Sequence, residues 1–357
     1  MLRVSVPGIH FCPMRPKRRL LSRILHSESF LIGILCLIGL IPWPTPVKKK
    51  RGRPYVYLPL VMLRCFIVRM WMRIPSNNAL HSFFLLSTEN PYNARIMVAC
   101  GLRRIPDRRT FDRRLKSISS DNSDDNLGQR IDAIGQLFVD EKLLDPYIVC
   151  VDSTMLRARR GLEWHAKDMK ENRVPYSGID TEARWGKSRT KGWVYGYKLH
   201  LACSTGSLVV PFSAAFTTAN VQDNQIYGRT TSSLRGVRYV DGDEGYDDTN
   251  LYEKSRQRGF DLVCPISRYE STPPARVELV HFYESELGQL VYSWRMKSVE
   301  PLIEHIKDIF PIDPLPVRGL VKAKSVVLLS VFLYQVMVYY NHLTGRRLRA
   351  LKHMLGS

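Results

Sequence analysis

The stretch that decides the fold is Tyr147-Ile148-Val149-Cys150-Val151-Asp152-Ser153-Thr154, an apolar run that ends in a carboxylate. It shows neither the alternation of a half-exposed strand nor the period of an amphipathic helix, so it reads as a strand buried on both faces. Downstream, Tyr195 to Cys203 alternates Tyr195, Tyr197, Leu199 and Leu201 with Gly196, Lys198 and His200, which predicts a half-exposed strand. Leu208 to Thr217 follows a turn at Thr205-Gly206, and with the first two it predicts an antiparallel meander. Val221 to Leu234 is long enough for a helical crossover, and Val237 to Val240 is a second apolar run followed by Asp241 and Asp243. A helical crossover makes the strands it joins parallel and puts their carboxyl ends on one edge. Asp152 and Asp243 are therefore expected as neighbours. A strand at Leu262 to Ile266 and two later helices complete an α/β domain.

Upstream the texture is helical and basic. Tyr57 to Leu86 predicts one or two helices. In Gly101 to Leu115, Pro106-Asp107 reads as a helix start, and Phe111 and Leu115 form an apolar stripe among Arg108, Arg109, Arg113 and Arg114. A short helix pair with a basic second helix is the helix-turn-helix pattern for DNA; a merely basic surface helix fits this segment equally well. The polar stretch Ser119 to Asn126 marks a boundary. Pro42-Trp43-Pro44-Thr45-Pro46 and the run Lys48 to Arg53 exclude regular helix there, so residues 1–54 read as a loosely attached basic arm and linker. The expected organisation is this arm, a helical DNA-binding region at 55–145, an α/β domain at 146–345 and a basic tail at 346–357.

The chain has 357 residues, enough for two domains, and a formal net charge of +20. Residues 1–120 hold 22 basic and 4 acidic side chains, so nearly all the surplus lies there. Such a pole points first to nucleic acid or anionic lipid, then to an acidic protein. The seven cysteines include no Cys-x-x-Cys pair and are odd in number, which argues against a zinc module or a disulfide framework and for a reducing cytosol. Phe30 to Ile41 is too short to span a bilayer, and Ser325 to Leu343 is interrupted by Ser330, Gln335, Asn341 and His342. Each reads as a buried core helix. Arg15 to Arg23 lies too far in for a signal peptide, and a soluble protein is expected.

Two carboxylates placed together repel unless a cation neutralises them, and a hard divalent ion such as Mg²⁺ is the usual partner for oxygen ligands. The alternatives are a cap or turn role for Asp152 and a solvated acidic turn for Asp241, Asp243, Glu244, Asp247 and Asp248. Asp241 and Asp243 share a strand face, so spacing alone does not choose between them.

Four blocks in order carry a resemblance: Val151-Asp152-Ser153-Thr154, Gly192-Trp193-Val194-Tyr195-Gly196-Tyr197-Lys198-Leu199-His200, Thr218-Ala219-Asn220-Val221-Gln222-Asp223 and Asp243-Glu244-Gly245-Tyr246-Asp247. Together they resemble the prokaryotic insertion-sequence transposases of the DDE class. That resemblance implies a ribonuclease-H-like catalytic domain, a mixed sheet flanked by helices. It favours Asp243, two residues before Gly245-Tyr246, as second acid. The family's third acid lies in a signature of Tyr, Arg, Glu and Lys, here Tyr292, Arg295, Glu300 and Lys307, with four residues rather than three between Arg295 and Glu300. On a continuous helix that spacing sets the two about 140° apart instead of about 40°. Pro301 suits a first helical position, so the residues ahead of Glu300 are expected to be non-helical. Glu304 is the rival acid. Val299, Leu302, Ile303, Ile306 and Phe310 predict a buried stripe that puts Glu300 nearer its edge and Glu304 farther round.

The implied activity is cleavage at element ends and joining of the 3′-hydroxyls to target DNA. Asp152, Asp243 and Glu300 would hold two Mg²⁺ ions, for which Mn²⁺ may substitute. The resemblance further implies Tyr292, Arg295 and Lys307 on DNA phosphates, double-stranded DNA as partner, a homodimer on that DNA, no small-molecule substrate and a nucleoid-associated place in the cytoplasm. Between Met155 and Lys191 lie Arg157, Arg159, Arg160, Arg184, Lys187, Arg189 and Lys191, with Trp164, Trp185 and, just beyond, Trp193. This mixture suits phosphates plus a base or sugar face, or else a solvated loop over packed tryptophans. His165, His200 and His305 read as packed or surface histidines. The competing functions are a DNA-binding protein without catalysis, a metal-dependent nuclease that does not join strands and, last, a membrane-surface protein.

Overall fold

The computed structural model describes residues 29–41, 43, 56–120, 126–159, 171, 179–188, 192–266 and 274–356. Among the described residues six α-helices precede the first strand: α1 (Phe30–Ile38), α2 (Pro59–Trp71), α3 (Asn77–Leu85), α4 (Pro91–Cys100), α5 (Arg108–Ser117) and α6 (Leu127–Asp140). Their starts are written in the sequence, because Ser76, Asn90, Asp107 and Asn126 each accept a backbone N–H of the first turn. Gly101 ends α4 at φ 83°, a left-handed conformation that glycine adopts without a Cβ clash.

The sheet consists of β1 (Ile148–Arg157), β2 (Arg184–Ser188), β3 (Gly192–Ser204), β4 (Pro211–Thr218), β5 (Tyr239–Asp241) and β6 (Asp261–Val263). Its order is β2-β3-β1-β5-β6, with β4 also paired to β3. β1, β3 and β4 form the expected antiparallel meander, while β5 and β6 run parallel to β1. β2 takes Gly192–Gly196 of β3 and β4 takes Tyr197–Cys203. The crossover between β4 and β5 contains α7 (Asp223–Thr230), and α8 (Thr249–Gln257) joins β5 to β6. This is the mixed, helix-flanked sheet of the ribonuclease-H-like fold.

Four expectations are corrected. β1 runs five residues past Asp152, because β3 stays paired with it as far as Arg157 opposite Gly196. β3 is buried from Val194 onward rather than half-exposed, since helices cover both of its faces. Tyr197, Leu199 and Leu201 join the cluster built by the last two helices, and Ala202 joins that of Tyr227, Tyr246 and Leu251. Among the described residues three α-helices follow β6 instead of two: α9 (Pro274–Glu284), α10 (Glu286–Ile309) and α11 (Leu320–Leu343). α10 is helical through Ser298, Val299 and Glu300, with Pro301 inside it; the proline leaves the Lys297 carbonyl without its usual donor but does not start the helix.

The arm reading fails for α1, whose Leu31, Ile34, Leu35 and Ile38 are buried beside α11, and for Trp43, which packs on Phe332. The prolines and lysines from Pro44 to Arg53 lie outside the described residues. Both apolar runs are core helices, as expected. α11 is the single helix among the described residues long and apolar enough to cross a membrane, and protein surrounds it. The donors of its buried Ser325, Ser330, Gln335 and Asn341 are partnered. Ser325 Oγ donates to the Leu115 carbonyl at 2.6 Å, and Gln335 Nε2 donates to the carbonyls of Ile131 (3.0 Å) and Pro211 (2.7 Å). One apolar cluster therefore runs from α1 and α2 through α11 to β3.

Candidate active site

Asp152 pairs with Leu201, and strand alternation puts it on the face covered by α10. Cys150, two residues back, sits opposite Asp241 at the end of β5, and its Sγ donates to Asp241 Oδ2 at 3.5 Å. Asp241 is fully buried. The chain then leaves the sheet at Gly242, where a Cβ would stand 2.7 Å from the Tyr246 ring. Asp243 thus lies beyond the strand, half-buried, and its Oδ1 accepts the Gly245 N–H at 2.9 Å. The two aspartates do not share a strand face, because β5 stops at the first of them.

α10 brings a cation to the acids. Arg295 Nη2 donates to Asp152 Oδ2 at 2.8 Å, and Nη1 lies 3.0 Å from Glu300 Oε1. The one-residue offset between Arg295 and Glu300 does not separate them, since the long guanidinium side chain spans the extra angle. Burial pushes the Asp152 carboxyl up to about 6; Arg295 pulls it down, and the charges of Asp243 and Glu300 push it up again. Burial opposes the Arg295 charge, but Asp152, Asp243 and Glu300 outweigh it and raise its pKa. Burial likewise drives Asp241 up to about 8, and its Oδ1 has no hydrogen-bond partner among the described residues.

The predicted stripe of α10 is buried at Val299, Leu302, Ile303, Ile306 and Phe310. Glu304 is 72% exposed and holds Lys307 Nζ at 3.0 Å, whereas Glu300 is 45% exposed and turned to Arg295. Lys307 therefore pairs along its own helix. Tyr292 is half-buried, edge-to-face with Tyr283 at 5.3 Å.

Other candidates divide. On α5, Phe111 and Leu115 are buried and Arg108, Arg109 and Arg113 exposed, while Arg114 Nη2 donates to the Tyr57 carbonyl at 3.3 Å. Arg157 pairs with Asp313 at 2.8 Å, and Arg159 reaches the Pro316 carbonyl. Arg184 folds back on the carbonyls of Thr181 and Ala183. Trp185 packs on Tyr195 at 5.3 Å; Lys187 is exposed. These three belong to β2, where the sequence reads as loop. Arg160, Trp164, His165, Arg189 and Lys191 lie outside the described residues.

Sequence reasoning missed a buried cluster on the opposite face of β3. Lys198 Nζ donates to Asp223 Oδ1 and the Val221 carbonyl, both at 3.0 Å, and His200 Nε2 meets Thr217 Oγ1 at 2.9 Å. Burial pushes the His200 imidazole down to about 4, so it is neutral and packed; His305 is packed too, with Nδ1 3.1 Å from the Tyr334 hydroxyl. The available signal was the two-residue spacing of Lys198 and His200 on a strand followed by Asp223 at a helix start.

The acids supply only carboxylate oxygen, the donor type of hard divalent ions, in a place that already draws a cation. Among the described residues no three His, Cys, Asp or Glu side chains converge closely enough to hold an ion as they stand; the Arg295 guanidinium lies between Asp152 and Glu300.

The sheet order and its two-face cover define the class as ribonuclease-H-like. Residues 143–336, more than half of the chain, match the family model of the transposase DDE domain, and the chain belongs to that family. Among solved structures it is similar to a piggyBac transposase synaptic complex with hairpin DNA, at 10% identity and a TM-score of 0.37, over 97% of this chain and 80% of that one. No curated protein matches it.

Proposed function

We propose that this transposase cuts DNA at the ends of a mobile element and joins the freed 3′-hydroxyls to target DNA, with Asp152, Asp243 and Glu300 as metal ligands. The observation that carries the reading is that Arg295 of α10 bonds Asp152 of β1 at 2.8 Å and lies 3.0 Å from Glu300, close enough to Asp243 for its charge to act on Asp152 and Arg295. Asp243 is preferred because Asp241 is sealed in the sheet and bonded to Cys150, while Asp243 is accessible to substrate. Glu300 is preferred because Glu304 faces solvent and Lys307.

Asp152, Asp243 and Glu300 would hold two Mg²⁺ ions, or Mn²⁺ in their place, once Arg295 withdraws and the carboxylates draw together. Bound there, the ions would lower the pKa of the attacking water or 3′-hydroxyl and stabilise the leaving oxygen of an in-line displacement. Asp152 is fixed to the sheet through β1 and to α10 through Arg295. A withdrawn Arg295 has DNA phosphate as its natural acceptor, with Tyr292 beside it and Lys307 about three turns along α10. Arg108, Arg109 and Arg113 offer an exposed basic face to double-stranded DNA, Lys187 adds a further cation, and Arg114, Arg184 and Trp185 hold the local structure in place. Two ends must be brought together, so a homodimer on DNA in the cytoplasm, at the nucleoid, belongs to the same reading.

A second reading, DNA binding without catalysis, is favoured by the place of Arg295 between two of the acids. The test is cleavage of a duplex carrying the inverted repeats that flank the gene, with Mg²⁺ or Mn²⁺. Replacement of Asp152, Asp243 or Glu300 by Asn or Gln should cut nicking by more than about 100-fold with binding retained. Wild-type protein that binds this duplex and never cuts it supports the second reading instead.

A further inference from the structure

β2 and β3 pair antiparallel at the edge of the sheet; one end of the pair is clamped, and toward the other Lys187 and Trp193 are exposed. At the clamped end, Asp180 Oδ2 accepts the Tyr197 hydroxyl at 2.9 Å and the Gly319 N–H at 2.8 Å. Its carbonyl accepts the Tyr195 hydroxyl at 2.6 Å, and Glu182 Oε2 accepts the Leu320 N–H at 2.6 Å. Two carboxylates thus tie the strand pair to the first residues of α11, and Asp180 is itself 2% exposed. Farther out, Lys187 stands directly opposite Trp193, and Trp185 opposite Tyr195. Cross-strand partners share a face, so Lys187, Trp185, Tyr195 and Trp193 project together.

The same alternation continues along β3 through Tyr197 and Leu199 to Leu201, the partner of Asp152. Trp193 therefore lies on the face that carries Asp152, eight residues away, or about 26 Å along the strand. Between the two positions Tyr197, Leu199 and Leu201 are at most 1% exposed, whereas Trp193 is 66% exposed. An indole laid open to water beside an exposed lysine, on a strand pair held rigidly from below, is a surface prepared for a flat apolar ligand with a negative charge next to it. Nucleic acid strands supply that pair of features at every residue, as a base face and a phosphate.

We infer that Trp193 is a stacking platform for an unstacked nucleobase of a DNA strand, with Lys187 on the adjoining phosphate, about 26 Å from the acids. The inference rests on the DNA reading above and adds a strand-binding subsite to it. Trp185, packed on Tyr195, supports the platform from the side.

The test uses the full chain and two fluorescent probes, a 20-nucleotide oligothymidylate and a mixed-sequence 20-base-pair duplex, read by anisotropy. Trp193→Ala should weaken oligothymidylate binding about 5- to 150-fold without changing its salt slope. Trp193→Phe should restore most of the affinity, and duplex binding should hardly change. Lys187→Ala should reduce the oligothymidylate salt slope by about one contact. The inference is overturned if Trp193→Ala binds oligothymidylate like wild type, or if wild type binds the duplex and not the oligothymidylate; either result leaves the DNA reading standing. Loss of self-association in Trp193→Ala with strand binding intact would also overturn it, by assigning the indole to a second copy. Failure of wild type to bind either probe defeats both.

Discussion

At the residue scale, Arg295 pairs with two of the acids at once, Asp152 and Glu300. Arg295→Met should cost about 3 kcal/mol at neutral pH, because removing one member of a buried ionic group strands the others. The sign follows from proton counts. Asp152 already binds its proton more tightly folded than unfolded, and loss of Arg295 raises its pKa further, so the folded state holds the extra proton. Stability should fall as pH rises from the ordinary carboxylate range in both proteins, and in the variant the fall should continue above about 6, where wild type levels off. Thermal unfolding at a series of pH values checks this; superimposable profiles would refute it.

His200 has the opposite sign. Its folded pKa of about 4 lies below the ordinary 6.5, so the unfolded chain binds more protons between those values and stability is lost as pH falls through that window. His200→Gln, which can still meet Thr217, should flatten that part of the curve. An unchanged acid limb would mean that the imidazole is not the group responsible.

At the scale of elements, the sequence shows buried strands and capped helices well and shows poorly whatever depends on partners far along the chain. β1, β5 and the stripe of α10 were legible because burial leaves a direct signature in apolar residues. β3 misled because Lys198 and His200 look exposed until Asp223 and Thr217 are known to meet them inside. β2 was invisible: Arg184-Trp185-Gly186-Lys187-Ser188 has no apolar pattern of its own and is a strand through its pairing with β3. At the candidate site, Asp152, Asp243 and Glu300 were legible from motif order, but the Arg295 bridge was not, since helix angle alone argued against it.

The clamp of β2 to α11 makes an element-scale prediction. Asp180→Ala removes one buried carboxylate that accepts three hydrogen bonds, from Tyr197, Gly319 and Glu182, and should destabilise the protein by roughly 3 kcal/mol. Glu182→Ala, at an exposed position with one backbone donor, should cost about 1 kcal/mol. Urea unfolding gives both values, and equal costs would contradict the assigned roles.

For the whole molecule, charge and packing are distributed differently. The basic surplus lies before residue 120, whereas the apolar core ignores that boundary. Replacing Arg108, Arg109 and Arg113 together by Ala should lower the slope of log affinity for duplex DNA against log salt by up to about 2.7, with the fold intact. Arg114→Ala should instead lower stability, since its guanidinium holds the Tyr57 carbonyl. A triple variant with an unchanged slope would move duplex recognition elsewhere on the molecule.

α11 touches the helices of the amino-terminal half and the strands of the sheet at once, through Ser325 to Leu115 and through Gln335 to Ile131 and Pro211. Its consequence is evolutionary. A recognition module joined by a tether can be exchanged between genes by a single recombination, but one that lends its side chains to a common interior cannot leave without opening it. The amino-terminal helices of this chain can therefore change by substitution in place, and not by exchange of the whole unit.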